Sequence, residues 1–314
     1  MVVATKPQRF KSTVEAFIAT GAIQKIQARQ FIFLWSIKMK PQLVELNKSY
    51  AVVKIPKGFQ ISRHHVCDSD TLHTVKRFVG NGTDNAKMAK SDKLQDTYRT
   101  FQTSFAPSLS SGFQMCANAS DGCINACLDG TGNGLVFPMI HFARIARTVC
   151  LFEARDWTLN KLDQELDNKT KLGKREGFTV AYRGNTFSDY PIESTGLVDA
   201  HSGVQFYDYT AIPKRAGLLR LNYWLTFSRK ENNDSDCLNV LRNGGNVAVV
   251  FASRNGKKQT QLPTHWNRFK VIDGDNTDLR FLDKRGCVVG LKLKAATNND
   301  YQNAIDSGFA VVTD

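Results

Sequence analysis

The sequence lacks a long apolar run. The longest apolar stretch near its start, Phe31 to Ile37, has about seven residues, whereas a helix that crosses a bilayer needs roughly 20. The start of the chain also lacks the basic segment, apolar segment and small-residue cleavage site of a secretory signal. We therefore expect a protein that has no membrane partner and is not secreted.

Cysteines are few, and their number is odd: seven in 314 residues. A chain of this length with so few cysteines does not have the composition of a disulfide framework, and reduced thiols or a metal site fit it better. The cysteine content therefore predicts a cytoplasmic protein.

Several motifs of common enzyme classes are missing as well. The sequence has no G-x-S-x-G, no phosphate-binding P-loop, no H-E-x-x-H and no zinc-deaminase signature. The common hydrolase and nucleoside triphosphatase classes therefore receive no support. No glycine-rich fingerprint follows the first predicted strand, which disfavours a dinucleotide-binding sheet.

Acidic residues are scarce in the first third of the chain. Residues 1–100 hold 17 Lys plus Arg against 7 Asp plus Glu, a balance of +10, whereas residues 101–314 hold 25 against 22. A polar stretch from Asn81 to Ser111 follows. We predict a basic α+β N-terminal extension over residues 1–105, with a helix between Lys11 and Gln30, that binds nucleic acid through residues 1–100. The alternative is a basic face that only keeps the protein soluble.

Short apolar runs recur along the rest of the chain, and helical stretches separate several of them. Continuously apolar runs are typical of parallel strands joined by helical crossovers, and polar residues where each strand ends are typical of a barrel mouth. Residues 106–314 are therefore predicted to form an α/β domain, an irregular or partial TIM-like (β/α) barrel. The predicted strands are Gly112–Met115, Phe178–Arg183, Gln205–Tyr209, Tyr223–Phe227, Val247–Ala252, Phe269–Ile272, Val288–Leu293 and Phe309–Val312, and the helices are Phe137–Leu166, Asp236–Arg242 and Asp300–Ser307.

Three cysteines, Cys116, Cys123 and Cys127, lie within twelve residues in a C-x6-C-x3-C spacing. The small and polar residues between them would let the backbone wrap around a metal. We predict that the three thiolates bind either an iron–sulfur cluster, which would keep one iron open, or zinc, with Cys150 or His141 as a fourth ligand. The alternative is a loop whose cysteines only pack or form one disulfide.

Polar side chains end several of the predicted strands and would face one cavity. Carboxylates gathered there would perturb one another's pKa values, which suits acid–base work, a nucleophile or a hard cation. The alternative for each carboxylate is a structural role, in which it accepts hydrogen bonds from backbone N–H groups in a turn or at a helix cap. The predicted catalytic residues are Asp189, Asp208, Asp273 and Asp275, and the predicted substrate-binding residues are Arg183, Asn185, Ser188, Thr210, Ser228, Asp278 and Arg280.

The order of these motifs resembles that of a group of bacteriophage proteins of unassigned function, over about Gly112 to Asp314. The resemblance implies a phage protein in the cytoplasm of an infected bacterial host. The motifs are Cys116/Cys123/Cys127-Leu128, the basic helix from His141 to Thr148, Arg183-x-Asn185-x-x-Ser188-Asp189, Phe206-Tyr-Asp208-Tyr-Thr210 and Ile272-Asp-Gly-Asp275.

Two coarser resemblances bear on activity. Three cysteines after the first strand of a barrel look like radical S-adenosylmethionine enzymes, which implies an iron–sulfur cluster with S-adenosylmethionine. The barrel, aspartates and basic surface look like the transglycosylases that exchange guanine for a 7-deazaguanine and hold a structural zinc. We therefore expect a phage metalloenzyme that modifies nucleic acid or nucleotides, with a zinc-containing base-exchange transglycosylase or a non-enzymatic nucleic-acid-binding or host-takeover protein as alternatives.

Overall fold

The computed structural model of the protein describes residues 40–217, 221–253 and 261–313. The helix predicted between Lys11 and Gln30, and all the basic residues before Lys40, lie outside these ranges. Within them no helix is both long enough and apolar enough to cross a membrane.

The described chain forms two sheets with helices between and around them. The strands are β1 (Gln42–Leu46), β2 (Ala51–Ile55), β3 (Thr71–Val75), β4 (Gly80–Asn81), β5 (Tyr98–Gln102), β6 (Thr179–Arg183), β7 (Gln205–Thr210), β8 (Tyr223–Ser228), β9 (Val247–Ser253), β10 (His265–Trp266), β11 (Phe269–Asp273), β12 (Val288–Lys292) and β13 (Val311–Thr313). The helices are α1 (Ala86–Lys93), α2 (Asp121–Asn125), α3 (Asn133–Val136), α4 (Met139–Glu153), α5 (Arg155–Glu176), α6 (Leu197–Ala200), α7 (Pro213–Ala216), α8 (Asp234–Arg242) and α9 (Asn298–Asp306).

The central sheet is mostly parallel. Its strand order is β4-β5-β6-β7-β8-β9-β12-β11-β10, and β13 also pairs with β9. All neighbours from β5 to β11 in this order are parallel, whereas β4 and β10 join antiparallel at the two ends. The prediction of an α/β fold is confirmed, and closure into a TIM-like barrel stays a prediction.

The prediction of a first strand over Gly112–Met115 is wrong. These residues lie in a loop of turns and bends, where Gly112 has a φ of 81°, a left-handed conformation that a strand does not contain. Phe113 made this segment look like an apolar strand. In the structure its ring packs from the loop onto that of Phe152, with the ring centroids 4.5 Å apart. The first parallel strand is instead β5, which the sequence analysis missed.

The two faces of the central sheet differ in character. Helices α4 and α5 cover the outer face, where Tyr182 and Phe206 pack in one apolar cluster with residues of both helices. The opposite face, called the inner face below, carries the residues that alternate with these along each strand, because successive side chains in a strand point to opposite faces. Its central side chains are Ala181, Arg183, Tyr207, Tyr209, Trp224 and Thr226.

The connection between β11 and β12 covers the inner face. Leu279 is buried there with Ala181 and Tyr207. The ring of Phe281 lies 4.9 Å from that of Tyr98 on β5 and 5.5 Å from that of Tyr207 on β7. A segment that follows β11 near one end of the sheet therefore contacts β5 near the other end.

Strands β1, β2 and β3 form a separate antiparallel sheet. The buried residues Ala51, Val53 and Ile55 of β2 belong to the same apolar cluster as Ile145 and Val149 of α4. Described residues of the predicted extension are thus packed on α4, and β4 and β5 belong to the central sheet. The domain boundary at residue 105 stays a prediction.

The packing of α5 gives a stability test. Leu166 is 0% exposed within the main apolar cluster, and we expect Leu166→Ala to lower the free energy of unfolding by about 2–5 kcal/mol, because it removes buried methyl groups and leaves a cavity. Leu109→Ala is the control, since Leu109 is 61% exposed. Denaturant unfolding measures both, and equal losses for the two variants would contradict the packing described.

Candidate functional site

The three predicted metal-binding cysteines lie in the long connection between β5 and α4, at the carboxyl edge of the central sheet. This loop is fastened to the segments that follow three neighbouring strands. Asp189 N–H, after β6, donates to Met115 O at 2.9 Å, and Asn118 Nδ2 donates to Ala211 O, after β7, at 3.1 Å. Glu231, after β8, accepts from Ser120 Oγ at 2.6 Å and from Gly122 N at 2.9 Å.

The three thiols are near enough to influence one another's ionisation. Burial raises the pKa of Cys116 to about 11 and the pKa values of Cys123 and Cys127 to about 12. The Asp129 carboxylate adds to the shift of Cys127, and neighbouring thiols add to the shifts of both Cys123 and Cys127. All described cysteines are free thiols. Across the described ranges, however, no three His, Cys, Asp or Glu side chains are arranged to hold a metal ion, so these residues do not form a ligand set in this conformation.

Asp189 is part of a buried ion-pair network rather than a free acid. Arg215 Nη1 donates to Asp189 Oδ1, and its other nitrogens donate to both carboxylate oxygens of Glu193 at 2.7 and 2.9 Å. Thr210 Oγ1 donates to Asp189 Oδ2 at 3.2 Å. Burial raises the pKa of Asp189, and the Arg215 guanidinium opposes that shift. The network joins the segments that follow β6 and β7.

Asp208 lies on the outer side of the pleat and holds the turn that follows β6. Its Oδ1 accepts from Asn185 N at 2.8 Å, and its Oδ2 accepts from Asn185 Nδ2 and from Tyr223 OH at 3.1 and 3.0 Å. Ser188 Oγ in turn donates to Asn185 Oδ1 at 2.8 Å. Asp208 is 1% exposed, and burial raises its pKa to about 6 despite the nearby Arg183.

Asp278 and Arg183 meet on the inner face. Arg183 Nη1 lies 3.2 Å from both carboxylate oxygens of Asp278, Tyr207 OH donates to Asp278 Oδ2 at 3.1 Å, and Lys87 Nζ lies 3.4 Å from Oδ1. Asp278 is 0% exposed. Burial alone would favour its neutral form, but the cations Arg183 and Lys87 hold the pKa of Asp278 well below its usual range.

The remaining predicted residues divide between the surface and the core. Asp273 and Asp275 are partly exposed and pair with Lys292 and Lys294, at 3.8 and 3.0 Å. Arg280 is fully buried beside Asp283, with 3.3 Å between Nη1 and Oδ2. The backbone oxygen of Ser228 accepts from Asn233 Nδ2 at 3.0 Å. The structure therefore brings Arg183 and Asp278 together, whereas Asp273 and Asp275 pair with the lysines of and after β12.

Four polar atoms of β6, β7 and β8 that lie on the inner face are buried without a hydrogen-bond partner in the described structure. They are Arg183 Nε, Tyr209 OH, Trp224 Nε1 and Thr226 Oγ1. Tyr209 and Thr226 are direct neighbours in the register of β7 and β8, and the Arg183 guanidinium lies 4.8 Å from the centre of the Tyr209 ring. A buried polar atom without a partner lowers the stability of the folded protein by about 1–3 kcal/mol. Three neighbouring strands therefore carry polar atoms that a hydrogen-bonding ligand would stabilise.

Sequence reasoning missed several residues of this site. Tyr209, Trp224 and Thr226 stand in aromatic strand segments that look like ordinary core, and Arg215 and Glu193 lie in short helical turns between strands. The alternation of Tyr207 and Tyr209 with Asp208 was the available signal, because a period of two places the tyrosines and the aspartate on opposite faces.

The family model described as Gene product 88 matches residues 74–313 of the chain. No curated protein and no solved structure matches this chain. The matched range begins in β3 and ends in β13, so it contains the cysteine loop, the inner face and all the predicted site residues.

The buried carboxyl of Asp208 predicts a pH dependence of stability. Its pKa in the folded protein is about 6 against an ordinary value of 3.8, so the folded state binds the proton more tightly. The stabilising contribution is fully present below the ordinary pKa and is lost as the pH rises through 6. Between pH 4 and 7, the free energy of unfolding should fall by up to about 3 kcal/mol more for the native protein than for Asp208→Asn.

Urea unfolding at several pH values measures this difference. Asp96→Asn serves as the control, because Asp96 is exposed, and its pH profile should run parallel to that of the native protein. A parallel profile for Asp208→Asn as well would show that Asp208 titrates normally.

Proposed function

This chain belongs to the gene product 88 family of phage proteins, and we propose that it is an enzyme that binds a nucleobase or nucleotide on the inner face and modifies nucleic acid or nucleotides. The observation that carries the proposal is the set of unpartnered buried atoms on β6, β7 and β8. In parallel α/β sheets, ligands bind at the carboxyl ends of the strands, and Arg183, Tyr209 and Thr226 lie in or near the last positions of theirs.

The chemistry of these atoms suits a planar ligand rich in hydrogen-bond acceptors. Arg183 Nε and Trp224 Nε1 can only donate, and the hydroxyls of Tyr209 and Thr226 can donate or accept. Nucleobases offer ring nitrogens and carbonyl oxygens along their edges and flat faces that stack on aromatic rings. The net charge of +13 favours a phosphate-bearing substrate.

Among the carboxylates, Asp278 would face such a substrate, because it bonds Arg183 and Tyr207, whose side chains lie on the inner face. Asp189 and Asp208 act as positioning residues: they fix the turns after β6 and β7 and do not reach the unpartnered atoms. The contact of Phe281 with Tyr98 and Tyr207 supports a sheet that curls around this face. We accordingly propose the irregular TIM-like barrel as its closed form.

A hydroxyl deletion separates this function from stability. Thr226 is 0% exposed and its Oγ1 has no partner in the described structure, so Thr226→Val should leave stability unchanged or raise it. If the hydroxyl bonds the ligand, the same change should weaken ligand binding about tenfold. Calorimetric titration with guanine, a 7-deazaguanine, nucleosides and nucleoside monophosphates measures the affinity.

Thr103→Val is the matched control. Thr103 is equally buried, but its Oγ1 bonds Phe78 O at 3.1 Å and Tyr182 OH at 2.6 Å on the outer side of the sheet. This variant should lose about 1–3 kcal/mol of stability and keep its affinity. Equal affinities for the native protein and Thr226→Val, or no binding of any compound by the native protein, would contradict the proposed site. In the second case the non-enzymatic nucleic-acid-binding protein becomes the better interpretation.

A metal at Cys116, Cys123 and Cys127 is a separate prediction with its own test. The mutual influence of the three thiols supports it, and binding would require them to lose their protons and shift into a ligand set. Iron and sulfide with a broad visible absorption band in protein purified without oxygen, lost in Cys123→Ala and kept in Cys237→Ala, would support a cluster. Zinc lost in the same way would favour the base-exchange transglycosylase, and native protein without metal would contradict both interpretations.

A further inference from the structure

A cavity of about 380 Å³ lies on the outer side of the central sheet, between the α4–α5 pair and the segment that joins β3 to β4. It is separate from the inner face, because α4 and α5 cover the opposite side of the sheet. A smaller cavity of about 200 Å³ adjoins it and shares Arg77 and Arg147 with it. We call the two together the basic cavity.

Positive charge predominates in its lining. Arg77, Arg147 and Lys169 face two carboxylates in the larger part, Asp84 and Glu165, and the smaller part adds Lys76. The Glu165 carboxylate is already engaged, because its Oε2 accepts from Phe78 N at 3.0 Å and from Val79 N at 2.7 Å. The lining as a whole holds four cationic side chains against the two carboxylates.

Arg147 is the centre of this imbalance. Its Nε donates to Arg77 O at 3.3 Å, and the rest of its guanidinium makes no hydrogen bond or ion pair with any residue of the described ranges. Burial lowers the pKa of Arg147, and the neighbouring Arg144 and Arg77 lower it further, whereas the Glu165 carboxylate opposes the shift. A guanidinium held in this way, with free donors in a fixed planar fork, suits a tetrahedral oxyanion that can accept two parallel hydrogen bonds.

We propose that the basic cavity is a binding site for a phosphate group, held by Arg147 and Arg77 with Lys169 at its edge. The volume of about 380 Å³ exceeds that of the phosphate alone, so it leaves room for the nucleotide or nucleic acid strand that we propose carries the group. The site does not depend on the activity proposed for the inner face, since it uses different residues on the other side of the sheet.

Inorganic phosphate titrated into the full-length protein at constant ionic strength is the test, with calorimetry and the shift in melting temperature as readouts. We expect saturable binding and a raised melting temperature for the native protein, and at least tenfold weaker binding for Arg147→Gln and Arg77→Gln. Arg147→Lys should retain part of the affinity, because it keeps the charge and loses the planar fork. It also serves as the measurable variant if Arg147→Gln does not fold.

Lys171→Gln is the matched control. Lys171 is an exposed residue of α5, two positions from Lys169, and it does not line the cavity, so this variant should bind phosphate like the native protein. Nucleoside monophosphates and an oligonucleotide without terminal phosphates distinguish the molecule that carries the phosphate group. Tighter binding of the monophosphates assigns a nucleotide as the ligand. Tighter binding of the oligonucleotide assigns the phosphodiester backbone of a nucleic acid strand. Absence of saturable phosphate binding, or an unchanged affinity in Arg147→Gln, would overturn the proposal.

Discussion

The ion pair between Arg183 and Asp278 is the interaction on which the inner face depends. It joins the carboxyl end of β6 to the connection between β11 and β12, and Lys87 and Tyr207 bring α1 and β7 to the same carboxylate. Such a pair is buried at the cost of desolvating both charges, and removing one partner leaves the other uncompensated, which costs about 3–5 kcal/mol. The covering segment is therefore tied to the sheet by polar contacts as well as by Leu279 and Phe281.

The sequence predicted the elements of the fold better than their partners. The strands from β6 to β9, β11 and β12 are found close to where near-continuous apolar runs placed them, because parallel strands that are covered on both faces are mostly apolar. Strand β5, Tyr-Arg-Thr-Phe-Gln, was missed because three of its five residues are polar, so it does not form a continuous apolar run. The long helix predicted from Phe137 to Leu166 is divided at Ala154 into α4 and α5, a break that the apolar periodicity does not mark.

The candidate site illustrates why proximity along a sheet edge does not make one site. Asp189, Asp208 and Asp278 all follow or end strands at the carboxyl edge, and from the sequence they were expected to share a cavity. The pleat points Asp208 to the outer side, Arg215 engages Asp189, and only Asp278 joins the inner face. Ion-pair partners such as Arg215, which comes from a four-residue helix, depend on loop geometry that local sequence patterns do not specify.

The two proposed sites follow from one feature of the charge distribution. On the inner face, Arg183, Lys87 and Arg280 lie beside the two carboxylates Asp278 and Asp283. In the basic cavity, Arg147 and three further cations lie beside the two carboxylates Asp84 and Glu165. A surplus cation on the surface is neutralised by solvent and counterions at little cost, whereas a surplus cation in the interior is not. The partly buried Arg147 and Arg183 thus carry information that the net charge does not: they mark the two proposed sites, on opposite sides of one sheet, where an acceptor-rich or anionic ligand would supply further partners.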